Sequence, residues 1–342
     1  MTDLSSSLES RVVELCYGEN RRQKKAQLVA STSPNDPLGL GNFRQTTGMA
    51  PSYINVTDID RQLETATRIG AVWELNRGRV PLIAVAVKHG NACGAAVGDD
   101  PEKVVINMVM GDKEAISGGF VLVNFEVTST LARLLRNHAG PRILDGVVAP
   151  SFAEGAVEVL DRKTGKCRIF VNEALGGAGL GMASIDATPR FRQVRGGKLE
   201  QDGDPFVLKV PAQWQSDIDP QQVEDLMLGW AVGSTQNSNT VVLTKGGMLI
   251  GPGVGQRSRV AASKLALEYA KTYGHDVAGA VAYSDSFFPF HDAPMVLADA
   301  GIRIIFATSG SIRDEEVMAV CVERGVKLLT LPDAEARGFY GH

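Results

Sequence analysis

The stretch PLIAVAVKHGNACGAAVG, residues 81–98, sets an uninterrupted apolar run directly before a lysine and a histidine. Residues 81–87 are all apolar, which is typical of a strand that is buried on both faces. Lys88, His89 and Asn91 follow at once, among small residues that allow close approach of the backbone. Polar side chains at the end of a buried strand lie at the rim of a sheet, where open α/β folds bind their ligands.

Two interpretations of this polar cluster are open. In the first, the histidine moves a proton near neutral pH and the lysine stabilises developing negative charge. In the second, Lys88 is a solvated loop residue, and His89 lies at the edge of the sheet and hydrogen-bonds to the backbone. The residues of this stretch are consistent with both interpretations, so the choice between them depends on the rest of the chain.

Predicted helices and strands alternate around this strand, and the alternation indicates a layered α/β fold. The preceding segment, residues 56–78, has apolar residues at helical spacing and ends at a glycine, which predicts a helix. The elements predicted after the strand are a helix near 100–110, a strand at 119–124, a helix at 127–140 and a short strand within 142–152. We assign residues 1–160 to a first unit with an N-terminal extension, in which 31–42 is predicted to be irregular.

The pattern weakens between residues 161 and 206, and we place the connection between two units there. Residues 207–342 are assigned to a second unit. Its predicted elements are a helix at 219–234, a strand pair within 239–253, a helix at 258–273, a strand at 278–285, a helix at 293–300, a strand at 302–309, a helix that Ser311 caps and a final strand at 326–331.

The overall composition excludes several classes of function. The chain has 342 residues, a formal net charge of -4 and 44% hydrophobic residues, so general attraction to nucleic acid or to an anionic membrane is not indicated. No apolar run approaches the roughly 20 residues that span a bilayer, and the N-terminus has no apolar signal core, which predicts a cytoplasmic protein. Scattered histidines, and cysteines without a C-x-x-C pair, predict reduced thiols and no metal site.

Three further stretches combine polar side chains with tight backbone. STQNSNTVV, residues 234–242, places hydroxyl and amide groups before a strand, either for ligand contacts or for turn chemistry. LIGPGVGQRSR, residues 249–259, leads from a strand into a helix start, which suits an anion or forms a tight turn. YSDSFFPFHD, residues 283–292, flanks phenylalanines with acids and a histidine, either as a wall for a flat ligand or as an anchored loop.

Together these stretches resemble one family, AICAR transformylase, which is the C-terminal half of a bifunctional purine-synthesis enzyme whose other half is IMP cyclohydrolase. The resemblance spans nearly the whole chain. The matching motifs are YGENRRQ from Tyr17, VKHGNACGAAVG from Val87, LDGVVAPS from Leu144, SNTVV from Ser238, IGPGVGQRSRV from Ile250, SDSFFPFHD from Ser284 and GSIRDEEV from Gly310.

The resemblance implies a fold, a reaction and an assembly. The fold would be two cytidine-deaminase-like α/β/α units without the zinc of that fold. The reaction would move a formyl group from 10-formyltetrahydrofolate, the co-substrate, to the amine of AICAR. The protein would be an intertwined homodimer with active sites at the subunit interface, and K+ would be bound near residues 234–240.

The resemblance also implies roles for individual residues. The positions matched to catalysis are Lys88, His89, Asn239 and Asp292. Those on the acceptor side are Tyr17, Arg22, Asn91, Gly118, Asp145, Arg259 and Arg337, and those on the folate side are Phe287, Phe288 and Pro289. These roles suit the chemistry, because a weakly nucleophilic aromatic amine needs a base such as His89. The oxyanion on the formyl carbon needs a donor such as Lys88 or Asn239, and alignment of two substrates supplies much of the rate.

Several positions depart from the family pattern, mostly on the acceptor side. Cys16 stands where the family has an arginine that helps to hold the phosphate, and Arg22 replaces a histidine. Ser234 replaces a lysine, Ser117 replaces an aromatic residue, and His291 replaces an arginine. Two alternatives to AICAR transformylase therefore stay open. One is a paralogue that formylates a different amine, an unphosphorylated one included, in a specialised pathway. The other is a non-catalytic folate-binding or nucleotide-binding protein.

Overall fold

The computed structural model describes residues 10–31, 36–161 and 165–340, so the predicted irregular segment at 31–42 lies partly outside the described residues. The strands are β1 Ser10–Glu14, β2 Gln27–Ser31, β3 Arg44–Thr47, β4 Leu82–Lys88, β5 Asn91–Gly98, β6 Phe120–Val123, β7 Gly146–Ala149, β8 Arg168–Val171, β9 Arg190–Val194, β10 Gly197–Gln201, β11 Val241–Lys245, β12 Met248–Gly253, β13 Val281–Ser284, β14 Ile304–Ser309 and β15 Lys327–Pro332. The helices are α1 Tyr53–Arg77, α2 Pro101–Gly111, α3 Ser129–Asn137, α4 Ala156–Leu160, α5 Ala212–Asp217, α6 Pro220–Gly233, α7 Arg259–Thr272, α8 Asp292–Asp299, α9 Asp314–Glu323 and α10 Asp333–Ala336.

These elements confirm the predicted α/β class, whereas the cytidine-deaminase-like form of the units stays a prediction. Several strands were not predicted as such, among them β5 at residues 91–98 and the pair β9 and β10, which form a hairpin. Helix α9 begins at Asp314 rather than after Ser311, because the Asp314 carboxylate accepts hydrogen bonds from the N–H groups of Gly310 and Ser311. None of the described helices is both long enough and apolar enough to span a membrane.

The chain forms two compact units. Unit 1 comprises the described residues up to Leu63, together with Leu82–Gly179 and Met248–Ile250. Unit 2 comprises Glu64–Pro81, Leu180–Gly247 and the described residues from Gly251 onward. The division at Leu63 falls within helix α1, which no sequence pattern marks. The assignment of residues 1–160, 161–206 and 207–342 to a first unit, a connection and a second unit stays a prediction.

Unit 1 is built on a mixed sheet with the strand order β5, β4, β6, β7, β8, β3. Strand β4 is antiparallel to β5 and β6, and the strands from β6 to β8 are parallel. Residues 83–87 of β4 are fully buried, as the apolar run predicts. Helices α2, α3 and α4 pack on alternate residues of β4, β6 and β7, which forms the hydrophobic core of this unit. Strands β1 and β2 pair in a separate antiparallel hairpin.

The sheet of unit 2 has the strand order β15, β14, β13, β11. The strands from β13 to β15 are parallel, and β11 is antiparallel to β13. Helix α6 begins with a capping box in which Asp219 is the N-cap. Farther along this helix, the buried Asp225 carboxylate accepts hydrogen bonds from the N–H groups of Gly246 and Gly247 at 2.9 and 2.8 Å. The Asp225 side chain of helix α6 therefore holds the turn that follows β11.

Candidate active site

The Lys88–Asn91 stretch is a two-residue β-turn between β4 and β5. Lys88 pairs with Asn91 in the ladder, and the two central residues, His89 and Gly90, have φ values of 54° and 72°. Positive φ at both central positions is the type I′ geometry, whose right-handed twist matches that of the flanking strands. His89 is exposed at the tip of the turn, so its imidazole is accessible to a substrate.

The ammonium group of Lys88 lies beside the loop that precedes β6. Its Nζ donates a hydrogen bond to the backbone oxygen of Ser117 at 2.8 Å. Gly118, the next residue, has a φ of 82°, and a Cβ on it would lie 3.8 Å from Nζ. Glycine is therefore suited to this position both by its backbone conformation and by its closeness to the lysine. The structure thus brings Lys88 and Gly118 together.

A buried carboxylate from α1 reaches the same turn. Asp58 is 3% exposed, and its Oδ1 accepts a hydrogen bond from the Gly90 N–H at 2.7 Å. Burial raises the pKa of Asp58 from 3.8 to about 6, although the Gly90 N–H and the charge of His89 partly oppose this rise. Asp145 also acts on this pKa and raises it, which places His89 and Asp145 in the electrostatic surroundings of Asp58.

The raised pKa of Asp58 makes part of the stability of the protein depend on pH. The folded protein binds this proton more tightly than the unfolded chain does. The contribution of Asp58 to the free energy of unfolding is therefore greatest below about pH 4, and it is lost as the pH rises through about 6. The rise in pKa corresponds to about 3 kcal/mol. Asp58→Asn is therefore expected to gain about 2–3 kcal/mol in unfolding free energy over wild type between pH 4 and pH 8, as measured by urea denaturation.

The control for this prediction is Glu268→Gln, since Glu268 is an exposed acid in helix α7. Its difference from wild type should stay constant over the same pH range. An equally constant difference for Asp58→Asn would show that the buried carboxylate does not carry this pH dependence.

Sequence reasoning missed Arg168, whose guanidinium connects the segment that holds Tyr17 and Arg22 with Asp145. The Cys16 thiol donates to the backbone oxygen of Ala50 at 2.8 Å, and the Arg168 guanidinium donates to that same oxygen at 3.3 Å. Arg168 also donates to the backbone oxygen of Asp145 at 3.3 Å. A cation therefore lies beside both Cys16 and Asp145.

The other acceptor-side positions in this segment differ in exposure. Tyr17 is half-buried, with the Arg21 guanidinium 5.8 Å from its ring centroid. Arg22 is exposed. The sequence gives one sign of the Arg168 contacts, which is the basic residue itself.

Asn91 and Ser117 complete the site in unit 1. The Asn91 Nδ2 donates to the backbone oxygen of His89 at 3.2 Å, while its buried Oδ1 has no hydrogen-bond partner among the described residues. Ser117 lines a cavity of about 340 Å³ together with Lys113 and Arg142. Space and unpaired polar atoms are therefore present next to the Lys88–His89 turn, which suits a polar ligand.

Asn239 and Arg259 lie close together in unit 2. The Asn239 side chain and backbone N–H both donate to the backbone oxygen of Gln256, at 2.9 and 3.0 Å. Asp285 is fully buried, and it accepts hydrogen bonds from the Thr240 N–H at 3.1 Å and from the Arg259 guanidinium at 3.0 Å. Burial raises the pKa of Asp285, while Arg259 acts in the opposite direction. Arg259 is therefore already paired with a carboxylate of its own unit.

The folate-side residues follow Asp285 directly in the chain. Phe288 is buried, whereas Pro289 is exposed. The Arg337 guanidinium lies 5.7 Å from the Phe287 ring centroid, and it forms an ion pair of 2.6 Å with Asp333. An aromatic ring and a cation are thus placed together in unit 2.

Asp292 is the first residue of α8 and is exposed. Its Oδ1 accepts a hydrogen bond from the next N–H, that of Ala293, at 2.8 Å. Ser234, farther back in the chain, lines a cavity of about 560 Å³, and its buried hydroxyl lacks a hydrogen-bond partner among the described residues.

The candidate residues therefore form two groups. Unit 1 holds Lys88, His89, Asn91, Gly118 and Asp145, and the segment with Tyr17 and Arg22; unit 2 holds Asn239, Arg259, Phe287, Phe288, Pro289, Asp292 and Arg337. Sequence reasoning treated Asp58 as a helix-start signal and passed over Arg168. Within the described parts of the chain, no three His, Cys, Asp or Glu side chains gather as metal ligands.

A lysine and a histidine on a turn at the end of a buried strand, supported by the buried Asp58, define a class of α/β protein with the side chains for acid–base and oxyanion chemistry. The family comparison gives the particular family. Residues 2–269 match the model of the AICARFT/IMPCHase bienzyme family, and the chain belongs to that family.

Two curated relatives show how much of such proteins the chain spans. It is 32% identical over 321 residues to the bifunctional purine biosynthesis protein PurH of Prochlorococcus marinus (strain NATL2A), covering 92% of this chain and 58% of the relative. It is 33% identical over 321 residues to PurH of Synechococcus sp. (strain CC9311), covering 92% of this chain and 56% of the relative. The chain thus spans somewhat more than half the length of these relatives.

A solved structure is also similar, but only weakly. RibD of Acinetobacter baumannii, in its form 1, aligns with a TM-score of 0.23 and 10% identity, covering 82% of this chain and 75% of that one. A TM-score this low carries no argument about the fold or the function.

Proposed function

We propose that the protein is a formyltransferase of purine biosynthesis that moves a formyl group from 10-formyltetrahydrofolate to the amine of AICAR. The observation that carries this proposal is the type I′ turn at residues 88–91. That turn exposes His89 at its tip, sets Lys88 beside it, and lies over the buried Asp58. Membership of the AICARFT/IMPCHase family and the PurH relatives support the same reaction.

The proposed reaction exchanges one carbon–nitrogen bond for another. The acceptor amine attacks the formyl carbon, and His89 takes the proton that the amine loses. Lys88 and the Asn239 amide stabilise the oxyanion of the tetrahedral intermediate. The bond between the formyl carbon and the folate nitrogen then breaks, and that nitrogen gains the proton, for which the His89 imidazolium is the donor. Asp292 is the fourth proposed catalytic residue, and its exposed carboxylate is the group proposed to contact the substrates.

The proposed binding partners follow from the same family membership. Phe287, Phe288 and Pro289 form the folate side. We place the active protein in the cytoplasm as a homodimer with shared active sites, and we place K+ near residues 234–240. Each of these assignments rests on the family and on the motifs that match it.

Arg168 is the proposed contact for the phosphate of the acceptor. Its guanidinium shares the Ala50 oxygen with Cys16, the residue that stands in place of the family's arginine. A cation at this point can restore the lost contact, since arginine binds phosphate through charge-assisted hydrogen bonds. Tyr17, Arg22 and Arg337 are the further proposed contacts of the acceptor.

Replacing Arg168 with methionine is expected to raise the KM for AICAR by about 10- to 100-fold, because hydrogen bonds to charged groups contribute about 1.5–3 kcal/mol. The KM for the corresponding nucleoside, which has no phosphate, should change little. Steady-state kinetics with both acceptors measures the difference. An equal effect on the two acceptors would show that Arg168 does not read the phosphate.

A second candidate function is transfer of the formyl group to a different amine. Two observations favour it: Ser117 lines an open cavity where the family has an aromatic side chain, and the buried Ser234 hydroxyl lacks a partner. Cys16 adds to them, because it leaves one fewer cation for a phosphate. A larger acceptor would use the open space beside Ser117, and a less charged acceptor would suit the loss of the cation at position 16.

The experiment that separates these functions is a transfer assay with the purified protein, 10-formyltetrahydrofolate and a panel of amines. Release of tetrahydrofolate with AICAR as acceptor supports the first function. Release with an unphosphorylated or bulkier amine, and not with AICAR, supports the second. Folate binding by calorimetry without transfer to any amine refutes both, and leaves a non-catalytic folate-binding or nucleotide-binding protein.

A further inference from the structure

The central peptide of the 88–91 turn, which joins His89 to Gly90, is held by two side chains. In a two-residue hairpin the ladder pairs the flanking residues, here Lys88 and Asn91, and leaves the polar groups of the central peptide without a ladder partner. The Gly90 N–H donates to Asp58 at 2.7 Å, and the His89 oxygen accepts from the Asn91 side chain at 3.2 Å. Both polar groups of that peptide are therefore fixed by side chains, one from helix α1 and one from the turn itself.

The Asp58 carboxylate is an unusual choice for a purely structural contact. A neutral acceptor would hold the Gly90 N–H without the cost of burying a charge, and that cost appears in the raised pKa of Asp58. A carboxylate, however, forms a shorter and stronger hydrogen bond than a neutral acceptor. Its charge also interacts with that of His89, the residue that the proposed reaction protonates. The position of Asp58 therefore suits the reaction better than it suits the stability of the fold.

We propose that Asp58 is a positioning residue for formyl transfer, whose carboxylate fixes the peptide between His89 and Gly90 and so aims the imidazole at the acceptor amine. This inference rests on the proposed function. Asp58 does not touch the substrates. It acts through the turn, and Asn91 secures the opposite side of the same peptide.

Protonation of Asp58 should weaken this contact, because a neutral carboxyl group is a poorer acceptor than a carboxylate. The ionisable groups around Asp58 are His89 in the turn, Asp145 before β7 and Cys93 in β5; Lys88 and Asp112 act on the same thiol. Since His89 itself exchanges a proton in the reaction, the rate alone does not isolate Asp58. The amide proton of Gly90 isolates it in the His89→Asn variant, where no imidazole titrates beside that amide, because it lies in the hydrogen bond.

The experiment combines kinetics with NMR of the full chain labelled with 15N-glycine. Asp58→Ala, which removes the acceptor, is expected to lower kcat at least 10-fold while the KM for 10-formyltetrahydrofolate stays within twofold. Asp58→Asn keeps a neutral acceptor, so its kcat should fall between those of Asp58→Ala and wild type. In the His89→Asn variant the Gly90 amide proton should shift with a midpoint near pH 6, and adding Asp58→Asn should abolish that shift. Glu268→Gln, at an exposed acid of α7, is the control: alone it should keep the wild-type kcat, and added to His89→Asn it should leave the Gly90 titration unchanged.

A wild-type kcat in Asp58→Ala, or a Gly90 amide shift that persists when Asp58→Asn is added to His89→Asn, would overturn the inference. If Asp58→Ala does not fold, the comparison of Asp58→Asn with Glu268→Gln decides in the same way. Wild-type protein that transfers no formyl group to any amine refutes the proposed function instead. The pH dependence of the Gly90 amide shift is then the only test of the Asp58–Gly90 contact. A pH-independent shift overturns the contact, and a titration that Asp58→Asn abolishes supports it.

Discussion

Replacing His89 with asparagine is expected to lower kcat for formyl transfer by about 10²- to 10⁴-fold, the range that a general base contributes. Asparagine is the right substitution because the residue has a φ of 54°, and Asn before Gly is the most favourable pair for a type I′ turn. Alanine would strain the turn as well as remove the imidazole. With asparagine, the loss of rate therefore reports the missing base rather than a distorted hairpin.

The matched control is His138→Asn, since His138 is a half-buried histidine at the C-terminus of α3. Both variants should unfold at the wild-type denaturant concentration, and only His89→Asn should lose activity in the transfer assay. A His89→Asn enzyme with wild-type kcat would remove His89 as the base and with it the proposed mechanism.

Replacing Arg259 with methionine is expected to destabilise the protein by about 3–5 kcal/mol, because it leaves a buried carboxylate without its cation. The partner is Asp285, which is fully buried and bonded to Arg259 at 3.0 Å. The other donors, the Thr240 N–H and the Ser238 side chain, are neutral and cannot balance the charge. Urea denaturation at pH 7 measures the loss.

A double variant distinguishes loss of the ion pair from loss of packing. Asp285→Asn combined with Arg259→Met removes both charges, so it should recover most of the lost stability. Arg257→Met, at an exposed arginine two residues earlier, is the control and should change stability by less than about 0.5 kcal/mol. Equal losses in the single and the double variant would show that the charge of Asp285 is not what Arg259 compensates.

The 81–98 stretch shows which part of the fold is readable from sequence. The buried strand β4 follows directly from its apolar run, whereas β5, the next strand, consists largely of alanine and glycine and is not predicted. Gly94 explains why such residues are needed there: a Cβ on it would lie 2.3 Å from the backbone oxygen of Met108 in α2. The small residues serve close packing of a helix on the strand, which only the tertiary structure reveals.

Candidate site residues could be predicted from the sequence where a local motif indicates the chemistry. They could not be predicted where the supporting residue is distant in sequence. Lys88 and His89 are recognisable because a polar pair ends a buried strand. Asp58 precedes the turn by 32 residues, and its own neighbours indicate only a helix start. For Arg259 the motif indicates a cation that contacts a ligand, which stays a prediction, and only the structure shows that this cation also pairs with Asp285. Partners that are far apart in sequence are invisible to local pattern.

A crystal structure with AICAR and a stable analogue of 10-formyltetrahydrofolate bound would test the central claim most directly. We expect the side chains of Lys88, His89, Asn239 and Asp292 to lie within hydrogen-bonding reach, about 2.6–3.2 Å, of the atoms that exchange the formyl group, whichever subunit supplies them. Substrates bound elsewhere, with the 88–91 turn facing only solvent, would contradict the account.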